Sequence, residues 1–233
     1  MLDVTYEERR GQIETYFDRT AVEAWSRLTS DAPVGRIRAT VRAGRDRMRQ
    51  TLLAWLPEDL TGRRLLDAGC GTGALAVEAA RRGAQVVAVD VAPTLIELAR
   101  ERVPVDLGAG EVRFLAGDML DPALGRFDHV VAMDSLIHYR TPAALGILGG
   151  LAARTGASIL FTFAPRTALL TLMHGVGRLF PRGNRAPAIE PVGERSLKRR
   201  LAAHPELDAW RVARCERIVS GFYTSQALEL VRR

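Results

Sequence analysis

Apolar residues recur at helical spacing in the first quarter of the chain and in short strand-like runs after it. From Thr5 to Leu28 the pattern is helical, with Ile13, Tyr16, Phe17, Val22 and Trp25 as its apolar members. Pro33 is placed to open a second helix, since a first-turn residue has no helical N–H bond to lose. There Ile37, Val41, Gly44, Met48, Leu52 and Trp55 follow at steps of 4, 3, 4, 4 and 3, which is one face of a helix. Pro57 ends it. Runs at 64–68, 85–90, 111–118, 127–134 and 157–163 then read as strands. Helices separate the early ones, Ala74 to Arg82 closed by Gly83, and Pro93 to Arg102. Strands alternating with helices predict a parallel sheet covered on both faces. Two last runs, 211–219 and 221–232, have little between them and predict an antiparallel hairpin at one edge. The expected fold is therefore α/β: a Rossmann-like, seven-stranded, mostly parallel sheet (residues 59–233) with an N-terminal helical cap (residues 1–58).

The chemistry concentrates where the first strand ends, in Leu65-Leu-Asp-Ala-Gly-Cys-Gly-Thr-Gly73. A strand that turns at once into a helix needs backbone angles that only glycine adopts freely. The absent side chains also let backbone N–H groups approach a ligand at the positive end of the next helix. A dinucleotide-binding turn would read G-x-G-x-x-G, and a phosphate-binding loop would need Gly-Lys-Ser/Thr. This one reads D-x-G-x-G-x-G and contains no lysine. It resembles the first motif of class I S-adenosylmethionine (SAM) methyltransferases, in which the glycine loop wraps the amino-acid part of the cofactor. Asp67, Gly69, Cys70, Gly71 and Gly73 are the candidate loop residues.

In open parallel sheets ligands sit beyond the carboxyl ends of the strands. Asp90, followed by Val91, ends the second strand, where an acid can accept from both ribose hydroxyls. Asp118 ends the third, where it can accept from the adenine amine while Met119 packs on the ring. Asp134 ends the fourth, near the cofactor's ammonium and sulfonium. A lone strand-end Asp is usually a helix cap; three of them in register with a glycine loop make a site. Just past the fourth strand, His138 occupies the place where methyltransferases bring the methyl-accepting atom.

Composition narrows the partners. The N-terminus carries acids where a signal peptide would need an apolar core, and no run of about 18 apolar residues exists. Cys70 and Cys215 are too few for a disulfide framework or a four-ligand zinc site. A cytoplasmic location is expected. The net charge is +6. Residues 166–200 hold eight cations against Glu190 and Glu194, and residues 36–49 hold six arginines against Asp46. Arginine's planar fork suits carboxylates and phosphates, so nucleic acid, an anionic membrane and an acidic small molecule all remain open on charge alone. Segment 164–191, apolar in the middle and flanked by arginines, has the composition of a lid for a large flat acid.

Further blocks carry a closer resemblance: Tyr16-Phe-Asp-Arg-Thr20, Met133-Asp-Ser-Leu-Ile-His-Tyr139, Phe161-Thr-Phe-Ala-Pro-Arg-Thr167, and Leu179-Phe-Pro-Arg with Arg185-Ala-Pro-Ala-Ile. They resemble the magnesium-protoporphyrin IX O-methyltransferases of chlorophyll and bacteriochlorophyll synthesis, nearly end to end. Some relatives have a tyrosine shortly after the tryptophan at 25, where this chain has Thr29. The resemblance implies a SAM cofactor, magnesium only as part of the substrate, and no protein metal site. It implies His138 as the catalytic candidate and Tyr16, Tyr139, Arg166, His174, Phe180 and Arg182 on the substrate side. Expected partners are a magnesium porphyrin, an anionic membrane surface and a magnesium chelatase handing the substrate over, with no nucleic acid. The rival readings are an O-methyltransferase for another apolar acid or a quinone precursor, a nucleic-acid methyltransferase, and a non-catalytic SAM-binding protein.

Overall fold

The computed structural model describes residues 5–20, 29, 35–166 and 188–233. Helix α1, Tyr6–Thr15, starts at a capping box in which Thr5 and Glu8 bond each other's backbone, and it runs into one π-helical turn, Tyr16–Thr20. Such reciprocal bonds satisfy two donors that a helix start otherwise leaves orphaned. Helix α2 spans Arg36–Trp55. Strand β1, Arg64–Ala68, leads into α3, Ala74–Arg81; β2, Gln85–Asp90, leads into α4, Pro93–Arg102. Strands β3, Glu111–Ala116, and β4, Phe127–Ala132, precede α5, Thr141–Ala152, and β5, Thr155–Phe163. Helix α6, Glu194–Ala202, and the hairpin β6, Trp210–Ser220, and β7, Tyr223–Arg232, complete the chain.

The sheet order is β3-β2-β1-β4-β5-β7-β6. Pairs among β1 to β5 are parallel, and β7 runs antiparallel to both β5 and β6. The chain moves outward from β1 to β3 and then returns to place β4 beside β1. That reversal opens a crevice at the carboxyl ends of β1 and β4, the usual ligand position in such sheets. Alternate strand residues divide the core. Leu65, Val86, Val131 and Leu160 pack with Met48 and Leu52 of α2, Leu75 of α3 and Ile96 of α4. Leu66, Val87, Val130 and Ile159 pack on the other face with Leu148 of α5 and Leu197 of α6.

The class I methyltransferase architecture expected from the alternation is present. Several element ends differ from the sequence reading. Strands β3 and β4 stop two residues before Asp118 and Asp134: the last β2–β3 pair is Asp90 with Ala116, and the last β4–β5 pair is Ala132 with Phe161, after which Asp134 takes a φ of +52°. Gly221 belongs to the β6–β7 turn, with φ +55°, and not to β7. Helices α5 and α6 were not singled out by the pattern. Val22, Trp25 and Pro33 lie outside the described residues, and the described start of α2 is Arg36.

Helix α2 meets the hairpin where Gly44 lies on Tyr223: a Cβ at 44 would sit 2.5 Å from the tyrosine ring. Gly44→Val should therefore destabilise the fold by about 1–3 kcal/mol through overpacking. Gly11→Ala, in the open interior of α1 with nothing within 4 Å of its Cβ position, should instead gain about 0.5–1 kcal/mol. Urea denaturation midpoints of the two variants check both signs.

Candidate functional site

The glycine turn is built as its spacing requires. Gly69, Gly71 and Gly73 have φ of +84°, +54° and +78°. The Gly69 and Cys70 N–H groups donate to Val89 O at 2.8 and 3.0 Å, which binds the loop to the end of β2. The Gly71 N–H donates to Asp90 Oδ2 at 2.8 Å, and the Ala92 N–H donates to Asp90 Oδ1 at 3.0 Å. A carboxylate accepts about four hydrogen bonds, so Asp90 keeps acceptor capacity towards the cavity it lines. Gly73 caps α3 in the left-handed conformation. It is absent from the cavity wall, and its missing Cβ makes room for the Phe114 ring, 2.5 Å from where that Cβ would be. Gly73 serves helix–sheet packing rather than ligand approach.

The cavity at the sheet's carboxyl end has a volume of about 280 Å³. Asp67, Gly69, Cys70, Gly71, Asp90, Val91, Met119, Asp134, His138 and Tyr139 all line it, as expected from the sequence. Asp67 is 2% exposed, and its Oδ2 is buried without a partner in the protein. Burial, and then the neighbouring Asp90, push its pKa up to about 7. Burial also raises Asp90, against the pull of the N–H groups it accepts, and raises the Cys70 thiol well above its ordinary value. Two adjacent buried acids, one with an unsatisfied oxygen, form the wall that a cationic ligand group would complete. An ammonium fits this donor demand, and the S-adenosylmethionine expected from the glycine motif carries one.

The other strand-end acids are held differently from expectation. The Asp118 carboxylate turns away from the cavity, whose wall is formed there by Gly117 and Met119. It accepts from the Tyr6 hydroxyl at 2.6 Å, from Arg10 at 2.5 Å and from its own loop at Leu120. Burial alone would raise its pKa, yet these bonds leave it below the ordinary value. Helix α1 has taken the carboxylate that the sequence assigned to the adenine amine. Asp134 remains on the cavity wall, but its carboxylate accepts from Arg45 at 2.7 Å, from the Tyr223 and Ser225 hydroxyls and from Thr162. Its charge is balanced by Arg45, which counts against a primary role facing the cofactor's cations.

His138 sits in a short 3-10 turn, Leu136–His138, buried and edge-on to Phe17 with ring centroids 5.8 Å apart. Tyr139 stacks on Tyr6 at 5.5 Å, and burial raises its hydroxyl pKa. Tyr16 is not on the cavity wall; Ile13 and Phe17 are. Phe17 follows Ile13 by four residues and so shares its helix face, which leaves Tyr16 off the wall. Arg166 is exposed and away from the wall, its N–H donating to Val192 O. His174, Phe180 and Arg182 lie outside the described residues, as does most of the 164–191 segment. Its two described ends come together, Pro165 beside Val192, and the Glu190 N–H donates to Ile137 O in the histidine turn.

The sequence reading missed Arg42, Arg45, Asp46 and Arg49 of α2 as wall residues, along with Thr72, Met133 and Ser135. A signal existed for the arginines. Positions 42, 45 and 49 step by 3 and 4, so they share one helix face beside the apolar stripe. Arg49 bonds Asp46 at 3.0 Å and Glu78 at 2.6 Å, so part of the basic cluster is spent inside the fold.

Comparison with known proteins agrees with this geometry. A family profile described as "Magnesium-protoporphyrin IX methyltransferase C-terminus" matches residues 132–232, and one described as "Methyltransferase domain" matches residues 65–153. The magnesium-protoporphyrin O-methyltransferase of Rhodobacter capsulatus is 51% identical over 96% of this chain and 97% of its own length. Its Synechocystis counterpart is 29% identical over 94% of this chain and 95% of its own. The crystal structure of magnesium protoporphyrin IX methyltransferase from Synechocystis with bound S-adenosylhomocysteine superposes with a TM-score of 0.83 at 28% identity, covering 96% of this chain and all of that one.

The Asp67 environment generates a pH dependence. A cationic ligand prefers the ionised carboxylate, so below pH 7 binding must first expel a proton. Affinity for S-adenosylmethionine should therefore rise by up to about tenfold per pH unit between pH 5.5 and 7 and level off above. Asp67→Asn should lower the affinity and flatten that slope. Calorimetric titrations across this range check both.

Proposed function

The chain belongs to the magnesium-protoporphyrin O-methyltransferase family, and we propose that it transfers the methyl group of S-adenosylmethionine to a propionate carboxylate of magnesium protoporphyrin IX. The products are the monomethyl ester and S-adenosylhomocysteine. The match to the R. capsulatus enzyme over nearly the whole of both chains carries this reading, because it spans the block Met133–Tyr139, of which Met133, Asp134, Ser135, His138 and Tyr139 line the cavity. A ubiquinone biosynthesis O-methyltransferase also matches at 36% identity, but over only 54% of this chain.

When bound, the cofactor supplies a methyl carbon on a positively charged sulfur that departs as a neutral thioether. Within the protein, Asp67 meets its ammonium and Asp90 its ribose hydroxyls, while Val91 and Met119 give the adenine an apolar seat. The acceptor carboxylate titrates near pH ~4 when exposed, so it reaches the site ionised. The oxygen–carbon bond forms as the carbon–sulfur bond breaks, and the electron pair leaves on sulfur with no proton to move. The protein's task is alignment and exclusion of water. A bidentate arginine on the reacting oxygens would hold the ground state and slow the step. His138 therefore orients the reacting propionate by a hydrogen bond, with Phe17 and Tyr139 closing the wall around it. The cap role belongs to residues 1–58, whose Ile13, Phe17, Arg42, Arg45 and Arg49 line the cavity; the lid role given to about 164–191, with His174, Phe180 and Arg182, falls on residues outside those described, and Arg166 stands away from the wall. Peripheral contact with an anionic membrane and hand-over from a magnesium chelatase suit an apolar diacid of this kind, and we place the protein in the cytoplasm with such contact. No helix among the described residues is long and apolar enough to cross a membrane.

Transfer of label from methyl-labelled S-adenosylmethionine tests the assignment. Magnesium protoporphyrin should accept it, and metal-free protoporphyrin, a quinone precursor and an oligonucleotide should accept far less. Label on the quinone or the nucleic acid instead would overturn the substrate. Asp90→Ala should weaken cofactor binding by at least about tenfold, since hydrogen bonds to a charged acceptor contribute roughly 1.5–3 kcal/mol each.

His138→Asn and His138→Gln should retain appreciable single-turnover rates between about pH 5.5 and 8.5, because an amide still donates a hydrogen bond. His138→Ala should lose most of the rate. If Asn and Gln are as inactive as Ala while binding both ligands normally, the histidine acts as a base.

A further inference from the structure

Asp134 is the single non-glycine residue with a left-handed backbone among those described, at φ +52°. A side chain disfavours that conformation, although aspartate and asparagine tolerate it best. Such a residue persists only where its surroundings hold it, and here four residues on three elements do so. Arg45 of α2 donates to Oδ2 at 2.7 Å, and the Tyr223 hydroxyl of β7 lies 3.1 and 3.2 Å from the two oxygens. Ser225 of β7 donates to Oδ1 at 3.2 Å. Thr162 of β5 accepts from the Asp134 N–H at 2.7 Å and returns its own proton to Oδ1 at 3.1 Å. The Arg45 and Asp134 side chains are 20% and 6% exposed, so the pair is largely withdrawn from water.

The next residue is fastened as well. Ser135 Oγ donates to Ala68 O at 2.8 Å, and it fits only because position 69 is glycine; a Cβ there would lie 2.4 Å from the Ser135 Cβ. The chain thus leaves β4, reverses at Asp134, is fixed to the glycine turn at Ser135, and three residues later presents His138.

We propose that Arg45 and Tyr223 are positioning residues for the reaction: by locking Asp134 in its left-handed conformation they set the direction of the Leu136–His138 turn, and with it the placing of His138 against the acceptor. This rests on the role given above to His138. It also gives α2 and the β6–β7 hairpin a part in turnover beyond covering the core, because they meet at this carboxylate.

The test uses the full chain with Arg45→Met, Arg45→Lys, Tyr223→Phe and Asp134→Asn. Tyr223→Phe keeps the ring that packs on Gly44 and removes only the hydroxyl, so it reads the bond without disturbing the fold. Arg45→Met should lower kcat by roughly tenfold or more, and Tyr223→Phe by about threefold. S-adenosylmethionine affinity and porphyrin KM should stay within about threefold of wild type. Arg45→Lys should recover part of the loss, and Arg45→Met added to Asp134→Asn should cost less than it does alone, as coupled residues do. Independently of any substrate, the His138 imidazole resonance, identified by its absence in His138→Asn, should shift in Arg45→Met and Tyr223→Phe. Unchanged kcat with an unmoved His138 resonance would overturn the proposal. So would a loss confined to KM or to cofactor affinity, which would make Arg45 a direct ligand. A shifted resonance in a protein that leaves magnesium protoporphyrin unmethylated would support the positioning role and overturn the proposed substrate.

Discussion

Two buried carboxylates on neighbouring strand ends, Asp67 and Asp90, set the terms for the rest of this structure. Buried charge is costly unless it is paired and hydrogen-bonded. Asp90 is relieved by the N–H groups of Gly71 and Ala92, which is the purpose of the positive-φ turn at 69–73. That same geometry gives Asp67 no help from the loop N–H groups at 69–71, which turn to Val89 and Asp90, and only the Ala76 backbone pulls its pKa down. Burial and the neighbouring Asp90 raise the Asp67 pKa to about 7, and one of its oxygens stays buried without a partner in the protein. The fold thus holds an unbalanced acid at the β1–β4 crevice, and a cationic ligand supplies what the protein withholds.

Local features were legible in the sequence because local physics decides them. The ends of β1, β2 and α4 fall where the pattern put them: Gly69 follows β1, Pro93 opens α4, and β2 lies between Gly83 and Pro93. The ends of β3 and β4 were placed two residues too far: Asp118 and Asp134 continue the run in sequence, but β3 ends with its partner β2 at Asp90, and beyond β4 the backbone turns left-handed at Asp134. Helix α5, with the sequence Thr-Pro-Ala-Ala-Leu-Gly-Ile-Leu-Gly-Gly-Leu-Ala, has almost no polar face, so no helical period shows. Helix α6 buries only Leu197 and Leu201, too few positions to mark a period.

The candidate site divides in the same way. The glycine motif and the strand-end positions are contiguous and could be read directly. What could not be read is which partner takes each carboxylate. Tyr6 and Arg10 reach Asp118 across more than a hundred residues, and Arg45 reaches Asp134 across 89. Sequence spacing gives a side chain's address but not its occupant. The six arginines of 36–49 show the consequence: as a cluster they suggest an outward-facing surface for anions, yet Arg45 and Arg49 turn inward to acids of the chain itself.

This distribution of charge suits a reaction that destroys one positive and one negative charge without moving a proton. An acid left unbalanced near the transferring methyl would favour the sulfonium ground state over the dispersed charge of the transition state, and the step would slow. The unbalanced charge is instead kept at Asp67 and Asp90, beside the glycine loop. Asp134, which leads into the His138 turn, carries its own counterion in Arg45. Neutralised in this way, it contributes rigidity rather than electrostatic pull, and the acceptor's carboxylate is left as the negative group to which the methyl is drawn.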